Sequence, residues 1–170
     1  MLCLLITICR RQKRSAFTLV ELAVVVTIIS ILAALAMPAF KLIKERTQVS
    51  ALENDLRQYE QVFEIYELKN TKFPPTESTA GVIPIGMDGL ISEAWVLPSP
   101  VGGVYRWVND NASPDPKNHK TYIEIVGTVE QPIMIEASRL HKLDREMDDG
   151  NLSTGRIQIF GSNIIFYIRI

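Results

Sequence analysis

Between Leu22 and Phe40 the chain reads LAVVVTIISILAALAMPAF, with only Thr27, Ser30 and Pro38 interrupting the apolar side chains. A helix of about 20 such residues spans a bilayer, so this stretch belongs in lipid or in the dry interior of an assembly. Arg10, Arg11, Lys13 and Arg14 precede it with no acid among them, which favours an N-terminus held on the cytoplasmic side. Glu21 stands at the entrance to the run. A carboxylate in hydrocarbon needs a partner. A plain transmembrane anchor has no use for it. Nor has a secretory signal, which the small residues Ala34 and Ala36 would allow with a cut after Ala36.

The formal charge of -1 conceals an asymmetry: from Phe17 onward there are 14 basic and 19 acidic residues. A nucleic-acid binder needs a basic face on its folded part, so none is expected as a partner. Cys3 and Cys9 both precede the basic cluster, so the folded part has neither a disulfide nor a cysteine metal site. Beyond the apolar head roughly 130 residues remain, enough for one modest domain.

Pro38 deletes the helical hydrogen bond to the Ala34 carbonyl and crowds that turn, which predicts a kink or local melting. An amphipathic pattern then resumes. Val49, Leu52, Leu56, Tyr59, Phe63 and Tyr66 recur at steps of three and four, while Lys44, Glu45, Glu53, Asp55, Arg57 and Glu64 lie off that stripe. One helix is therefore expected from Phe17 to Lys69, its membrane half spanning 17–40 and its amphipathic half about 41–69. The stripe is short for a coiled coil and rich in bulky aromatics, which favours packing on a sheet of the same chain. NTKFPPT stops the helix at 70–76. A turn-rich connector follows over 77–103, with one helical turn near Leu90 to Trp95. Strands are expected at Val104 to Val108, Tyr122 to Val126, Ile133 to Glu136, Ile157 to Phe160 and Ile164 to Ile168, and a short helix at Ser138 to Met147. Gly161, Ser162 and Asn163 mark a hairpin between the last two strands. The fold class is α+β, a long N-terminal helix on an antiparallel sheet.

The string KRSAFTLVELAVVVTIISILAALAMP resembles the processing and assembly segment of type IV prepilins and type II secretion pseudopilins. The resemblance covers about 30 residues, and the pilin architecture it implies is the one read from the downstream pattern. It implies a leader of residues 1–16, cut by prepilin peptidase between Ala16 and Phe17, and N-methylation of Phe17. The family usually has Gly before the cut, where this chain has Ala16, and the leader here opens with the apolar MLCLLITIC. The new amine would be largely cationic near neutral pH and is the obvious partner for Glu21, one helical turn away. It could pair within the chain; the resemblance favours pairing between neighbouring subunits. Residues 41–170 then form an extracytoplasmic domain. The implied partners are the peptidase, copies of this chain or other pilins and pseudopilins, lipid, and an inner-membrane assembly platform with a separate ATPase. The implied location is the bacterial inner membrane, single-pass, and later a periplasmic or cell-surface filament. The competing function is a membrane-anchored or secreted adaptor domain.

Enzymatic chemistry is hard to find. His119 and His141 lack the spacing of a zinc or catalytic site, and there is no phosphate-binding glycine loop or nucleophile elbow. No catalytic role and no cofactor are expected. Asp144, Glu146, Asp148 and Asp149 raise calcium, but an EF-hand needs Gly and Glu where Asp149 and Gly155 stand. The cluster reads as a helix end with an Asp-Gly turn. Some pseudopilins bind calcium near this end of the chain, though no motif assigns ligands here. Trp95, Tyr105 and Trp107 read as core packing.

Overall fold

The computed structural model describes residues 18–110 and 120–169. Ala16, Phe17, the basic cluster, both cysteines and His119 lie outside the described residues. By its internal packing the chain divides into two units, Met1–Lys41 and Leu42–Ile170.

Helix α1 runs over Leu19–Asn70. Pro38 lies inside it with helical residues on both sides, so the proline does not end the helix. In the first unit every large apolar side chain from Leu19 to Phe40 is exposed. By length and composition this stretch can cross a membrane. Its two hydroxyls are satisfied within the helix, Thr27 Oγ1 donating to the Ala23 carbonyl at 2.8 Å and Ser30 Oγ to that of Val26 at 2.7 Å. No unpaired polar side chain in the run therefore has to be carried into lipid.

The second unit is α+β. A single 3-10 turn at Glu93–Val96 precedes strand β1 (Val104–Asp110), and β2 (Lys120–Val126), helix α2 (Ala137–Met147), β3 (Ile157–Phe160) and β4 (Asn163–Arg169) follow. All pairings are antiparallel, in the order β1-β2-β4-β3. β3 and β4 are joined by a two-residue loop whose first residue, Gly161, has φ +62°, a left-handed conformation that glycine adopts without strain.

Val49, Leu52, Leu56, Tyr59 and Phe63 are the buried face of α1. They meet an aromatic layer from the sheet and connector. Phe63 stacks on Trp107 with ring centroids 3.8 Å apart, and Tyr59 meets Trp95 and Tyr105 edge-on at 4.9 and 5.0 Å. Both indole N–H groups donate to backbone carbonyls, Trp95 to Val82 in the connector and Trp107 to Pro74 in the stretch that stops the helix. The connector is thereby fixed over the aromatic layer. Three ion pairs add links along α1: Glu45 with Arg139 of α2, Glu60 with Arg156, and Glu67 with Arg169 of β4.

Two expectations need correction. Ile133–Glu136 is not a strand. Its backbone is held by the connector and not by a sheet edge, Met134 N–H donating to the Val101 carbonyl, while the Gly103 N–H donates to the carbonyl of Gln131 just ahead of it. The helical turn falls at Glu93–Val96, three residues later than expected at its start, because the Ser92 hydroxyl accepts from Ala94 N–H and sets the start there.

Candidate functional site

The first candidate is the beginning of α1. The Leu22 N–H donates to the Thr18 carbonyl at 3.2 Å, the first helical bond, which makes Thr18 the cap residue. Thr18 Oγ1 accepts from the Glu21 N–H at 3.2 Å, and Glu21 Oε2 accepts from the Thr18 N–H at 2.8 Å. The same Oε2 also accepts from the Thr18 hydroxyl at 2.8 Å. This reciprocal arrangement is a capping box. It satisfies two of the otherwise unpaired N–H groups at the helix start and sets the carboxylate against the helix N-terminus, where the peptide dipoles favour negative charge. Sequence reading by charge alone missed this role of Glu21. The signal was present as Thr18-Leu19-Val20-Glu21 directly ahead of an apolar run. Among the described residues Oε1 of Glu21 carries no hydrogen bond, so the carboxylate keeps acceptor capacity for a cation.

The second candidate lies in the other unit, where α2 ends. Asp144 is in the last turn of α2, and the chain then turns through Asp148 and Asp149. One carboxylate oxygen from each of the three lies within 4.8 Å of the others. Asp149 is held locally, accepting from the Asn151 N–H at 2.8 Å and the Thr154 hydroxyl at 2.7 Å. Asp148 accepts from the Arg156 N–H. Gly155 is what lets Asp148 sit there: its φ is +71°, and a Cβ at that position would lie 1.8 Å from Asp148 Oδ2. Asp144 is different. It is 0% exposed, and neither carboxylate oxygen has a well-formed hydrogen bond, although the nearby Gly150 N–H exerts a modest pull on it. Burial raises its pKa, and the charges of Asp148 and Asp149 raise it further, while His141 acts in the opposite sense. Three converging oxygens, one of them on a buried acid that has no well-formed hydrogen bond, are what a hard divalent cation neutralises. The residues present fit a calcium ion. The sequence placed these acids near one another, but only the turn after α2 brings Asp144 together with Asp148 and Asp149.

Other singled-out residues are structural or apart. Trp95, Tyr105 and Trp107 are buried in the core. His141 is an exposed residue of α2. Tyr105 donates its hydroxyl to Asp55 Oδ2 at 2.8 Å, an internal bond between β1 and α1.

Residues 11–37 match the family described as the prokaryotic N-terminal methylation motif. The type II secretion system core protein G of Aeromonas hydrophila is 31% identical over 91 residues, 54% of this chain and 59% of that protein. The chain thus spans about three-fifths of that relative's length. The Klebsiella pneumoniae and Escherichia coli K12 proteins of the same name are each 30% identical, over 64% and 65% of this chain and 79% of their own length. Among solved structures, the major type IV pilin PilA1 of Clostridium difficile superposes with a TM-score of 0.50 at 16% identity, covering 75% of this chain and 98% of that one. That likeness shows the pilin fold. With an exposed apolar helix behind a methylation motif, a pilin-like sheet domain and protein G relatives matched over most of their length, the chain belongs to the type II secretion core protein G family of pseudopilins.

Proposed function

We propose that this chain is a non-enzymatic structural subunit of a type II secretion or type IV pilus-like filament, built around residues 17 to about 40 of α1. The observation that carries the reading is the exposed apolar surface from Leu19 to Phe40 in a helix opened by Glu21, behind a methylation motif. A surface of that extent is covered by lipid before assembly and by other helices after it. Prepilin peptidase cuts between Ala16 and Phe17 and methylates the Phe17 amine. That amine, still cationic, pairs with Glu21 of a neighbouring subunit through the oxygen the capping box leaves open. Copies whose stagger misplaces the amine leave a charge buried without its partner, and are rejected. Pro38 introduces a bend that lets the helix adapt between lipid and fibre. Force for assembly comes from a separate ATPase acting through an inner-membrane platform. The subunit begins with its N-terminus cytoplasmic and ends in a periplasmic or cell-surface fibre.

Calcium forms part of this reading. Asp144, Asp148 and Asp149 would hold the ion, which supplies charge neutralisation at the end of α2 and no chemistry on a substrate.

Mass spectrometry of the mature N-terminus in a host carrying the assembly system is the test. Methylated Phe17 supports the proposal, a start at Met37 supports a secretory signal, and an intact leader supports a plain anchor. Glu21→Ala is expected to insert and fold but to yield no fibres. Normal fibres from that variant would remove Glu21 from the mechanism.

A further inference from the structure

A groove of about 500 Å³ opens on the second unit between the segment after β2 and the β3–β4 loop, with Val129, Ile133, Leu140, Ile159, Ser162 and Ile164 on its walls. Val129 on its wall is 101% exposed, and Met134 and Phe160, each next in the chain to a lining residue, are 77 and 78% exposed. The charged residues from Gly127 to Ser138 are both acids, Glu130 and Glu136, and Ile157 to Ile168 carries no charge at all. Glu130 follows the lining residue Val129, and Glu136 stands between the lining residues Ile135 and Ala137, so an apolar cleft with acids next to it in the chain suits an apolar segment flanked by cations.

Such a segment exists on the same chain. Leu42 and Ile43 of α1 are exposed, and the neighbouring Lys44 and Arg46 are exposed cations. Nearby charges are used within the chain, as in Glu45 with Arg139 and Glu60 with Arg156. Among the described residues Lys44, Arg46 and Glu130 form no ion pair, and the Glu136 carboxylate accepts only from the Ser138 hydroxyl, at 3.4 Å. The chain therefore leaves two surfaces of opposite charge and matching apolar character unpartnered. A growing fibre of one subunit type requires that combination, because a head-to-tail contact joins two different patches that complement each other. Leu42 and Ile43 also continue in sequence the exposed apolar stretch of α1 that ends at Phe40. A membrane surface is the weaker occupant, since anionic headgroups would meet Glu130 and Glu136.

We propose that this groove receives the Leu42–Arg46 stretch of a second copy of the chain, with Leu42 and Ile43 entering the cleft and Lys44 and Arg46 facing Glu130 and Glu136. The proposal rests on the filament reading and names a contact within that filament.

The test uses two differently tagged full-length chains, both Cys3→Ser and Cys9→Ser, co-produced with the assembly system. One carries Ile43→Cys and the other Ser162→Cys. The expected result is a mixed disulfide in fibres that is absent without the assembly machinery. In the Ser162→Cys chain, Glu130→Lys with Glu136→Lys should lower its yield about tenfold, the equivalent of ~1.4 kcal/mol. Lys44→Glu with Arg46→Glu in the Ile43→Cys chain should restore it. Fibres that form without the disulfide overturn this contact alone, as does a Ser162→Cys chain that cross-links to a different protein. A disulfide of equal yield without assembly also overturns it, since it reports collision in the membrane. Failure of the parent chains to form fibres overturns the filament reading itself.

Discussion

Gly155→Ala isolates the geometry of the acidic turn. At φ +71° an alanine suffers the left-handed penalty of about 1–2 kcal/mol. Its Cβ would also stand 1.8 Å from Asp148 Oδ2, so the carboxylate must swing away. The side chain is flexible enough to do so, and the energetic consequence is the broken bond from the Arg156 N–H, about 1.5–3 kcal/mol for a charged acceptor. The combined destabilisation is then roughly 2.5–5 kcal/mol. Urea unfolding of the detergent-solubilised chain, followed by tryptophan fluorescence, reads this cleanly, because Trp95 and Trp107 are both buried in the second unit. A double-mutant cycle separates the two causes. In an Asp148→Ala background the clash is gone, and Gly155→Ala should cost only the backbone share, about 1–2 kcal/mol. With the wild-type turn, added calcium should raise the midpoint, and with Gly155→Ala it should not. If Gly155→Ala unfolds like the parent, or costs the same with and without Asp148, the account of this turn is wrong.

Phe63→Ala removes a fully buried ring stacked on Trp107 and should destabilise the second unit by about 3–5 kcal/mol in the same assay. Burial raises the pKa of Asp55 above its ordinary 3.8, against the opposing bond from the Tyr105 hydroxyl. Below 3.8 the carboxyl is protonated folded or unfolded; as pH rises the unfolded chain ionises first, so stability falls until the folded group has also ionised. Asp55→Asn should abolish that decline, which unfolding midpoints measured across the window will show. Tyr105→Phe should lower stability most above the window, where the lost bond is to a carboxylate, by about 1.5–3 kcal/mol. Thr18→Val removes the cap hydroxyl and should weaken the first turn of α1 by about 0.5–2 kcal/mol, seen as faster amide exchange at Glu21 and Leu22 in micelles.

The stripe from Val49 to Phe63 was legible because a helix that packs on its own sheet must repeat its apolar residues every three or four positions, and nothing else in the stretch competes with that period. The β3–β4 hairpin was legible for a similar local reason, Gly161 being the residue a tight turn requires. Ile133–Glu136 misled because its side chains suit a strand, whereas strand membership depends on the backbone partner, and the Met134 N–H is taken by the Val101 carbonyl of the connector. At the helix start the motif was readable but charge drew the inference, so the pairing of Glu21 with Thr18 went unseen. The convergence at Asp144 was hidden for a different reason: Asp148 stands one turn further along in sequence, yet both the meeting and the burial of Asp144 depend on the fold around α2.

The sheet order also dictates a sequence of events. β1 and β2 are near neighbours in the chain and can zip together as soon as both are available, but β3 has nowhere to dock until β4 arrives between it and β2. The strand synthesised last is the keystone, and closing that long loop is the slow step. Until it closes, β2 presents a bare edge able to recruit foreign strands. A subunit whose sheet domain emerges from a membrane in chain order would spend that interval as a half-finished ladder, so the window for misassembly ends only when the final strand is delivered.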